Sequence, residues 1–191
     1  MQPDKKYYCR EKFAGLVIDQ QVISRLTFDE CEFISCSFNG SRIERCRFLD
    51  CKFNDCNLSS FIPLDSVFIG PQFRNCKIIG VDWTQAQKLE QPNFHECRLN
   101  YSSFKFLQLS GARIARSEVK EAYFVETNLA GCDCTYSDFE KSLFFKTDLS
   151  GADFRNARNY SIDVSSNIVN KTRFSLPEAI SLLRSLNIIL E

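Results

Sequence analysis

The sequence predicts an all-β fold, a right-handed quadrilateral parallel β-helix followed by a C-terminal helix. Two observations predict it: a large apolar residue recurs every five positions along most of the chain, and glycines recur at intervals of twenty. A period of five matches neither the helical period of about 3.6 nor the two-residue alternation of a strand. It fits a chain that turns a corner every five residues, with four corners completing each coil.

The repeat unit has the form small-x-large-x-x. Stepping by five from Phe48 reaches Phe13 in one direction and Trp83 in the other, and a second run extends from Phe94 to Phe154. Fifteen of the 18 phenylalanines occupy the large position when Phe174 is included. The small position, two residues earlier, holds serine, alanine or one of eight cysteines: Cys31, Cys36, Cys46, Cys51, Cys56, Cys76, Cys97 and Cys132. We therefore expect one large and one small side chain to point inward at each corner.

The twenty-residue interval predicts the size of one coil. Gly111, Gly131 and Gly151 each follow a large leucine by two residues, and glycine suits a turn that needs positive φ. About 30 repeats give roughly 7 to 8 coils, and at about 4.8 Å per coil the predicted rod is on the order of 35 Å long.

Domain boundaries follow from where the repeat begins and ends. We expect an N-terminal lead-in over residues 1–12, the β-helix over 13–165, and a C-terminal helix and tail over 166–191. The β-helix is predicted to be irregular at 61–63 and at 84–93.

Each irregularity has its own cause. Phe61 and Pro63 stand where a small and a large residue are expected, which predicts a local kink. Between Trp83 and Phe94 one residue is inserted, and the register is lost for one corner. That second segment is interpreted either as a tolerated bulge or as a contact loop.

The segment after the repeat predicts a helix that covers the last coil or joins two chains. Ser175 and Glu178 have the spacing of a capping box, with Pro177 in the first turn. Because more apolar side chains follow than one cap needs, we expect a twofold homodimer. The candidate interface residues are Leu176, Ile180, Leu183, Leu186, Ile188, Ile189 and Leu190.

The cysteines could bind metal, form disulfides, or pack as small apolar side chains. Metal is disfavoured because the sequence has no CxxC pair and its only histidine is His95. Stacked thiols in successive coils come within disulfide range, but their parallel Cβ vectors and a reducing compartment favour free thiols. We expect Cys9 to be reactive, and we expect a column of buried thiols with raised pKa values, formed by Cys36, Cys56, Cys76 and Cys97.

A resemblance to a known family adds to this reading. The repeats, as in Asn128-Leu129-Ala130-Gly131 and Ala152-Asp153-Phe154-Arg155-Asn156, resemble the pentapeptide-repeat family over about residues 13–165. Length, the mid-repeat break and the tail at Phe174–Ala179 resemble its quinolone-resistance (Qnr-like) members. That resemblance implies a rod-shaped dimer that binds DNA gyrase or topoisomerase IV and protects it from fluoroquinolones. Some members are thought to imitate duplex DNA with an acidic rod.

Charge argues against such mimicry in this chain. The 24 basic residues equal the 24 acidic ones, whereas duplex DNA carries about one negative charge per 1.7 Å. The zero net charge also disfavours direct binding of nucleic acid or membrane. Neither an apolar N-terminal h-region nor a membrane-length apolar stretch is present in the sequence, so a cytoplasmic protein is expected.

One face is predicted to carry clustered outward apolar side chains. Either these residues stack across coils and stabilise the sheet, or they form a partner surface. The candidates are Phe106, Tyr123, Val125, Leu143 and Phe145. The sequence contains no catalytic constellation and implies no cofactor, so we expect a non-enzymatic protein. The resemblance implies a topoisomerase-binding factor, and the alternative is a general protein-interaction scaffold whose partner is unknown.

Overall fold

Almost every fifth residue adopts a positive φ, and this turns the chain through the corner that the five-residue period predicts. These residues run from Arg10 (φ 54°) to Lys171 (φ 57°), and most of them are not glycine. At Gly70 an added Cβ would meet the carboxylate of exposed Asp50, which would have to move to make room. At Gly131 the space around Cα is open, so glycine there relieves only the backbone strain that an L-residue suffers at positive φ.

The computed structural model describes residues 6–186, which wind through about eight coils of a parallel β-solenoid. Short strands lie between the corners. They are β1 (Tyr7–Cys9), β2 (Lys12–Ala14), β3 (Val22–Ser24), β4 (Thr27–Asp29), β5 (Glu32–Ile34), β6 (Arg42–Glu44), β7 (Arg47–Leu49), β8 (Lys52–Asn54), β9 (Val67–Ile69), β10 (Gln72–Arg74), β11 (Lys88–Glu90), β12 (Asn93–His95), β13 (Arg113–Ala115), β14 (Tyr123–Val125), β15 (Leu143–Phe145), β16 (Asp153–Phe154) and β17 (Arg173–Phe174).

The strands stack in four columns, which we call the first to fourth faces. The first face contains β1, β4, β7, β9 and β11, and the second contains β2, β5, β8, β10, β12 and β13, followed by β16 and β17. The third face is a ladder of single bridges from Val17 to Arg158. The fourth face contains β3, β6, β14 and β15. The paired strands are parallel and join residues 20 positions apart, or 21 across the insertion, so the predicted twenty-residue coil is present.

The large residues of the register form stacked columns inside the rod. On the second face the rings of Phe33, Phe53 and Phe73 stack at centroid distances of 4.8 and 4.9 Å. On the fourth face Phe104, Phe124 and Phe144 stack at 5.2 and 5.1 Å. Since successive coils place identical rings one above another, the parallel-displaced contact of aromatic pairs repeats along the core.

The two irregular segments keep the rod continuous. Phe61 and Pro63 are both buried. At this corner the large side chain of Phe61 therefore packs inward from the small position of the repeat unit, and Ile62 still pairs with Arg42. Near the insertion, a 3-10 helix over Trp83–Gln85 replaces the usual positive-φ corner residue. Leu89 then occupies the register position opposite Phe68 and is buried. The one-residue insertion is therefore contained in a single irregular corner, and the register resumes at Leu89.

The C-terminal segment differs from the predicted helix. It forms a 3-10 helix over Glu178–Leu186 rather than an α-helix. The two capping-box side chains bond the last coil instead of the helix, since Ser175 Oγ accepts from Asn156 N at 2.8 Å and Glu178 Oε1 accepts from Asn159 N. These two side chains therefore accept hydrogen bonds from backbone N–H groups of the rod, and the predicted capping box does not form. Within the described residues no helix is long and apolar enough to cross a membrane.

Candidate partner-binding surface

The fourth face brings the five predicted surface residues together. Parallel pairing of β14 with β15 sets Tyr123 beside Leu143 and Val125 beside Phe145. Phe106 lies at the neighbouring corner, where its backbone N–H donates to Val125 O at 3.0 Å. The sequence prediction that these residues share one face agrees with their positions, and we call the group the apolar patch.

The apolar patch is largely exposed. Phe106 is 62% exposed, Leu143 47%, Phe145 44% and Tyr123 42%, whereas Val125 is half-buried. Ile62 and Leu64 lie lower on the same face and are half-buried, so they extend its apolar character toward the N-terminal end.

Lysines border the apolar patch. Lys105 Nζ lies 4.7 Å from the centroid of the Tyr123 ring, and Lys146 Nζ lies 5.6 Å from that of Phe145. Lys146 also lies 3.6 Å from Glu126. An apolar centre with a charged rim is the composition of a protein-binding surface.

Charges elsewhere on the rod are arranged as pairs across coils. Residues twenty apart carry opposite charges and approach one another, as in Arg10–Glu30, Lys12–Glu32, Arg98–Glu118, Arg113–Asp133 and Lys120–Glu140, at 2.8 to 3.8 Å. This alternation of sign up the faces neutralises the field that an acidic stripe would produce. The described surface therefore presents no DNA-like run of negative charge.

The cysteine column is present as predicted from the register. Cys36, Cys56, Cys76 and Cys97 are buried and free. Each thiol contacts a backbone carbonyl of the coil below; for example, Cys76 Sγ lies 3.3 Å from Phe53 O. Among the described residues no group of His, Cys, Asp and Glu side chains is arranged to hold a metal ion.

The hydrogen bond with Cys76, more than burial, raises the pKa of Cys56, whereas at Cys36 burial is the main cause of the raised pKa. Burial also raises the pKa of Cys51, outside the column, to about 12. Cys97 departs from the expectation, because its hydrogen bond with the Cys76 thiol lowers the pKa of Cys97. Cys9 is exposed, as its position before the repeat predicts.

The predicted dimer residues lie at the C-terminal end of the rod. Leu176 is 78% exposed, Ile180 and Leu186 are exposed, and Leu183 is half-buried. Ile188, Ile189 and Leu190 lie outside the described residues. Dimerisation through this end stays a prediction.

Sequence reasoning missed a groove on the corner between the fourth and first faces. One part is lined by Arg45, Arg47, Asp65 and Val67, the next by Lys88, Glu90, Phe106 and Leu107, and Gln87 borders both parts. We call it the corner groove. Arg45 and Phe106 follow register residues by two positions, so the register could have shown that they share a corner.

Two comparisons with known proteins agree with the fold. Family models described as pentapeptide repeats match residues 23–60, with 9 copies, and residues 122–158, with 8 copies. No curated protein sequence matches the chain.

Solved structures of QnrB1, a plasmid-mediated fluoroquinolone resistance protein, have a similar fold. One trypsin-treated variant has a TM-score of 0.71 at 20% identity and covers 97% of this chain and 100% of its own. A second trypsin-treated variant has a TM-score of 0.71 at 19% identity and covers 98% of this chain and 99% of its own. The five-residue register, the four-sided rod and these matches together show that the chain contains pentapeptide repeats and has the fold of the QnrB1 structures.

Proposed function

We propose that the chain is a non-enzymatic, rod-shaped binding protein whose protein partner docks on the apolar patch. The observation that carries this proposal is the contrast between the patch and the rest of the surface. Elsewhere the faces carry charged side chains, several of which pair across coils, whereas Phe106, Tyr123, Leu143 and Phe145 expose large apolar side chains side by side. Contiguous exposed apolar side chains of this kind mark interaction sites.

A type II topoisomerase, DNA gyrase or topoisomerase IV, is the first candidate partner, and protection against fluoroquinolones is the candidate activity. Support comes from the Qnr-like resemblance of the sequence and from the overlap with QnrB1 along almost the whole chain. At this identity the overlap supports the fold alone, so the partner rests on the resemblance. The cross-coil ion pairs argue for recognition by shape and apolar contact, without charge mimicry of DNA.

The alternative is a general interaction scaffold with another partner. It is favoured by the dominance of an apolar patch over any acidic stripe on the described surface. Both alternatives place the protein in the cytoplasm, where its free thiols would remain reduced. Both also include a homodimer joined at the C-terminal end, no cofactor, and no direct contact with nucleic acid or membrane.

The proposal is tested by gyrase supercoiling in the presence of ciprofloxacin, with and without the purified protein. We expect the wild-type protein to change supercoiling and the Leu143→Ser/Phe145→Ser variant to lose that effect. Val17→Ser/Val22→Ser is the matched control, since it removes two exposed apolar side chains from the other end of the rod. If micromolar protein neither protects nor inhibits gyrase or topoisomerase IV, the topoisomerase assignment is wrong.

A further inference from the structure

The corner groove runs along the rod axis over four coils. Its floor includes Cys46 and Val67, both buried, although Val67 occupies an outward position of β9. Gln87 lines both parts of the groove, so the lower part near Arg45 adjoins the upper part near Phe106 at this side chain. Two adjoining depressions along one corner can accept an extended chain segment that passes over Gln87.

Arginines lie at the lower end of the groove beside one carboxylate. Arg45 and Arg47 flank Cys46 and line the groove together with Asp65, and Arg25 lies one coil below Arg45 at the same corner. Arg25 and Arg47 form no ion pair with any residue between 6 and 186, and Arg45 approaches Asp65 only at 3.8 Å with both side chains exposed. These guanidinium groups therefore leave capacity for an external carboxylate.

Apolar surface is concentrated at the upper end. The Phe106 ring is largely exposed, and Leu107 stands where most corners carry a small residue. Leu107 packs against the core with part of its side chain still accessible. This end of the groove can bury an apolar side chain, and it is continuous with the apolar patch through Phe106.

We propose that the corner groove binds an extended acidic peptide segment of the partner protein. A carboxylate side chain pairs with Arg45 and Arg47, and an apolar side chain packs on Phe106 and Leu107. Arg45 and Phe106 share a corner three coils apart, which is roughly 14 Å at about 4.8 Å per coil. An extended chain advances about 3.3 Å per residue, so the acidic and apolar residues are about four positions apart. This inference rests on the proposed binding function and names the chemistry of the partner.

The probe is a library of random twelve-residue peptides displayed on phage and selected on the immobilised full-length protein. We expect the recovered sequences to share an acidic residue followed or preceded, four positions away, by a large apolar residue. A fluorescein-labelled synthetic peptide of that consensus then measures affinity by anisotropy. Failure to recover any peptide, or recovery of peptides without this spacing, would overturn the inference.

Charge reversal tests the lower end. Arg45→Glu/Arg47→Glu should weaken binding of the labelled peptide at least tenfold, because the negative charge introduced at both exposed positions repels the carboxylate of the peptide. Lys52→Glu/Lys77→Glu, which reverses two charges on other faces, should change affinity less than twofold. Phe106→Ser should weaken binding about tenfold, and the melting temperature of each variant shows whether the rod is intact. Equal affinity for the two charge-reversed variants would overturn the proposal.

Two further outcomes separate this inference from the proposed function. If Leu143→Ser/Phe145→Ser abolishes peptide binding and Arg45→Glu/Arg47→Glu does not, the groove assignment fails and the apolar patch stands. If neither variant affects peptide binding, both the groove assignment and the assignment of the apolar patch fail. A twelve-base-pair DNA duplex that displaces the peptide as well as unlabelled peptide does would show that the arginines bind phosphate, which also overturns the groove assignment.

Discussion

Where the small position holds serine, threonine or cysteine, its side chain hydrogen-bonds backbone groups of the neighbouring coil. Ser66 Oγ donates to Ile43 O in the coil below at 2.9 Å and accepts from Cys46 N at 2.9 Å. Thr127 and Cys76 reach the same kind of carbonyl from the same position. At these corners a small side chain with a donor stabilises the rod, since a buried carbonyl without a partner is costly.

Substitution of Cys76 tests this role. We expect Cys76→Ser to change the free energy of unfolding by less than about 1 kcal/mol, because the hydroxyl can make the same hydrogen bond. Cys76→Leu should destabilise the rod by about 1–3 kcal/mol through overpacking. Urea denaturation of both variants measures the difference. Equal destabilisation by serine and leucine would show that the hydrogen bond is irrelevant.

Thiol accessibility gives a second residue-scale prediction. Of the ten cysteines, Cys9 is exposed and the other nine are buried. Ellman's reagent should react rapidly with one thiol per native chain and with all ten after denaturation, because burial blocks access and, at Cys51, also raises the pKa to about 12. Cys9→Ser should remove the rapid phase. A rapid phase that persists in this variant contradicts the assignment.

Successive coils are joined on the third face by an ion network around Asp138. Its side chain is nearly buried and lies 3.4 Å from Lys120 and 3.3 Å from Arg158. Asn159 Nδ2 donates to Asp138 Oδ1 at 2.8 Å. Burial opposes ionisation of Asp138, but the hydrogen bonds from Asn159 and the Glu140 N–H, together with Lys120, outweigh it and lower its pKa. The carboxylate therefore links three coils only while it is ionised.

The stability contributed by Asp138 depends on pH. A carboxyl whose folded pKa is depressed stabilises the fold above its unfolded pKa, about 3.9 for Asp. That contribution is lost as pH falls through the lower folded value. At pH 7 we expect Asp138→Asn to lower the free energy of unfolding by about 1–3 kcal/mol. In denaturation experiments the difference in free energy of unfolding between variant and wild type should become smaller below about pH 4. A gap that is independent of pH contradicts the linkage.

The 3-10 turn at Trp83–Gln85 accommodates one extra residue without interrupting the columns on either side. Asp65 N donates to Gln85 O at 2.9 Å, one residue further along than the equivalent bond from Arg45 N to Leu64 O. The ladder returns to its usual form at Leu89, which pairs with Phe68. The insertion is thus contained within a single corner.

Deletion of Thr84 should consequently be tolerated. It restores a five-residue corner between Trp83 and Leu89, and we expect the melting temperature to change by less than about 4 °C. Deletion of Ser59, in an unbroken coil, shifts every following side chain of that coil to the wrong side. It should lower the melting temperature by more than about 10 °C, as measured by circular dichroism. Similar effects of the two deletions would contradict this account.

At the scale of the whole rod, its C-terminal end differs from its sides. Exposed Leu176, Ile180 and Leu186 lie close together in sequence, and Ser175 and Glu178 tie the segment to the last coil. An apolar end of this kind suits a twofold contact between two rods.

Sedimentation velocity tests the predicted dimer. We expect the wild-type protein to sediment with twice the mass of one chain, and Leu176→Ser/Ile180→Ser to shift it to monomer, because these changes remove apolar area from the contact. Val17→Ser/Val22→Ser should remain dimeric. Dimerisation that survives the C-terminal change, or a monomeric wild type, would show that this end is not the interface.

The sequence by itself determined the coil, the core and the shared face of the apolar patch. A period that matches neither helix nor strand admits few backbones, so Phe53 above Phe33 and Phe145 beside Val125 follow from counting residues. Buried free thiols at Cys56 and Cys76 follow from the same count.

Features that depart from the five-residue period, or that form between coils, are visible only in the tertiary structure. Leu89 regains the register because a 3-10 turn absorbs one residue, and Ser175 and Glu178 bond the last coil rather than their own helix. The corner groove arises where residues of two faces meet across several coils, with Arg45 and Phe106 about sixty positions apart. Periodicity reports which side chains point inward; the depth, charge and continuity of a surface depend on how side chains from different coils meet in space.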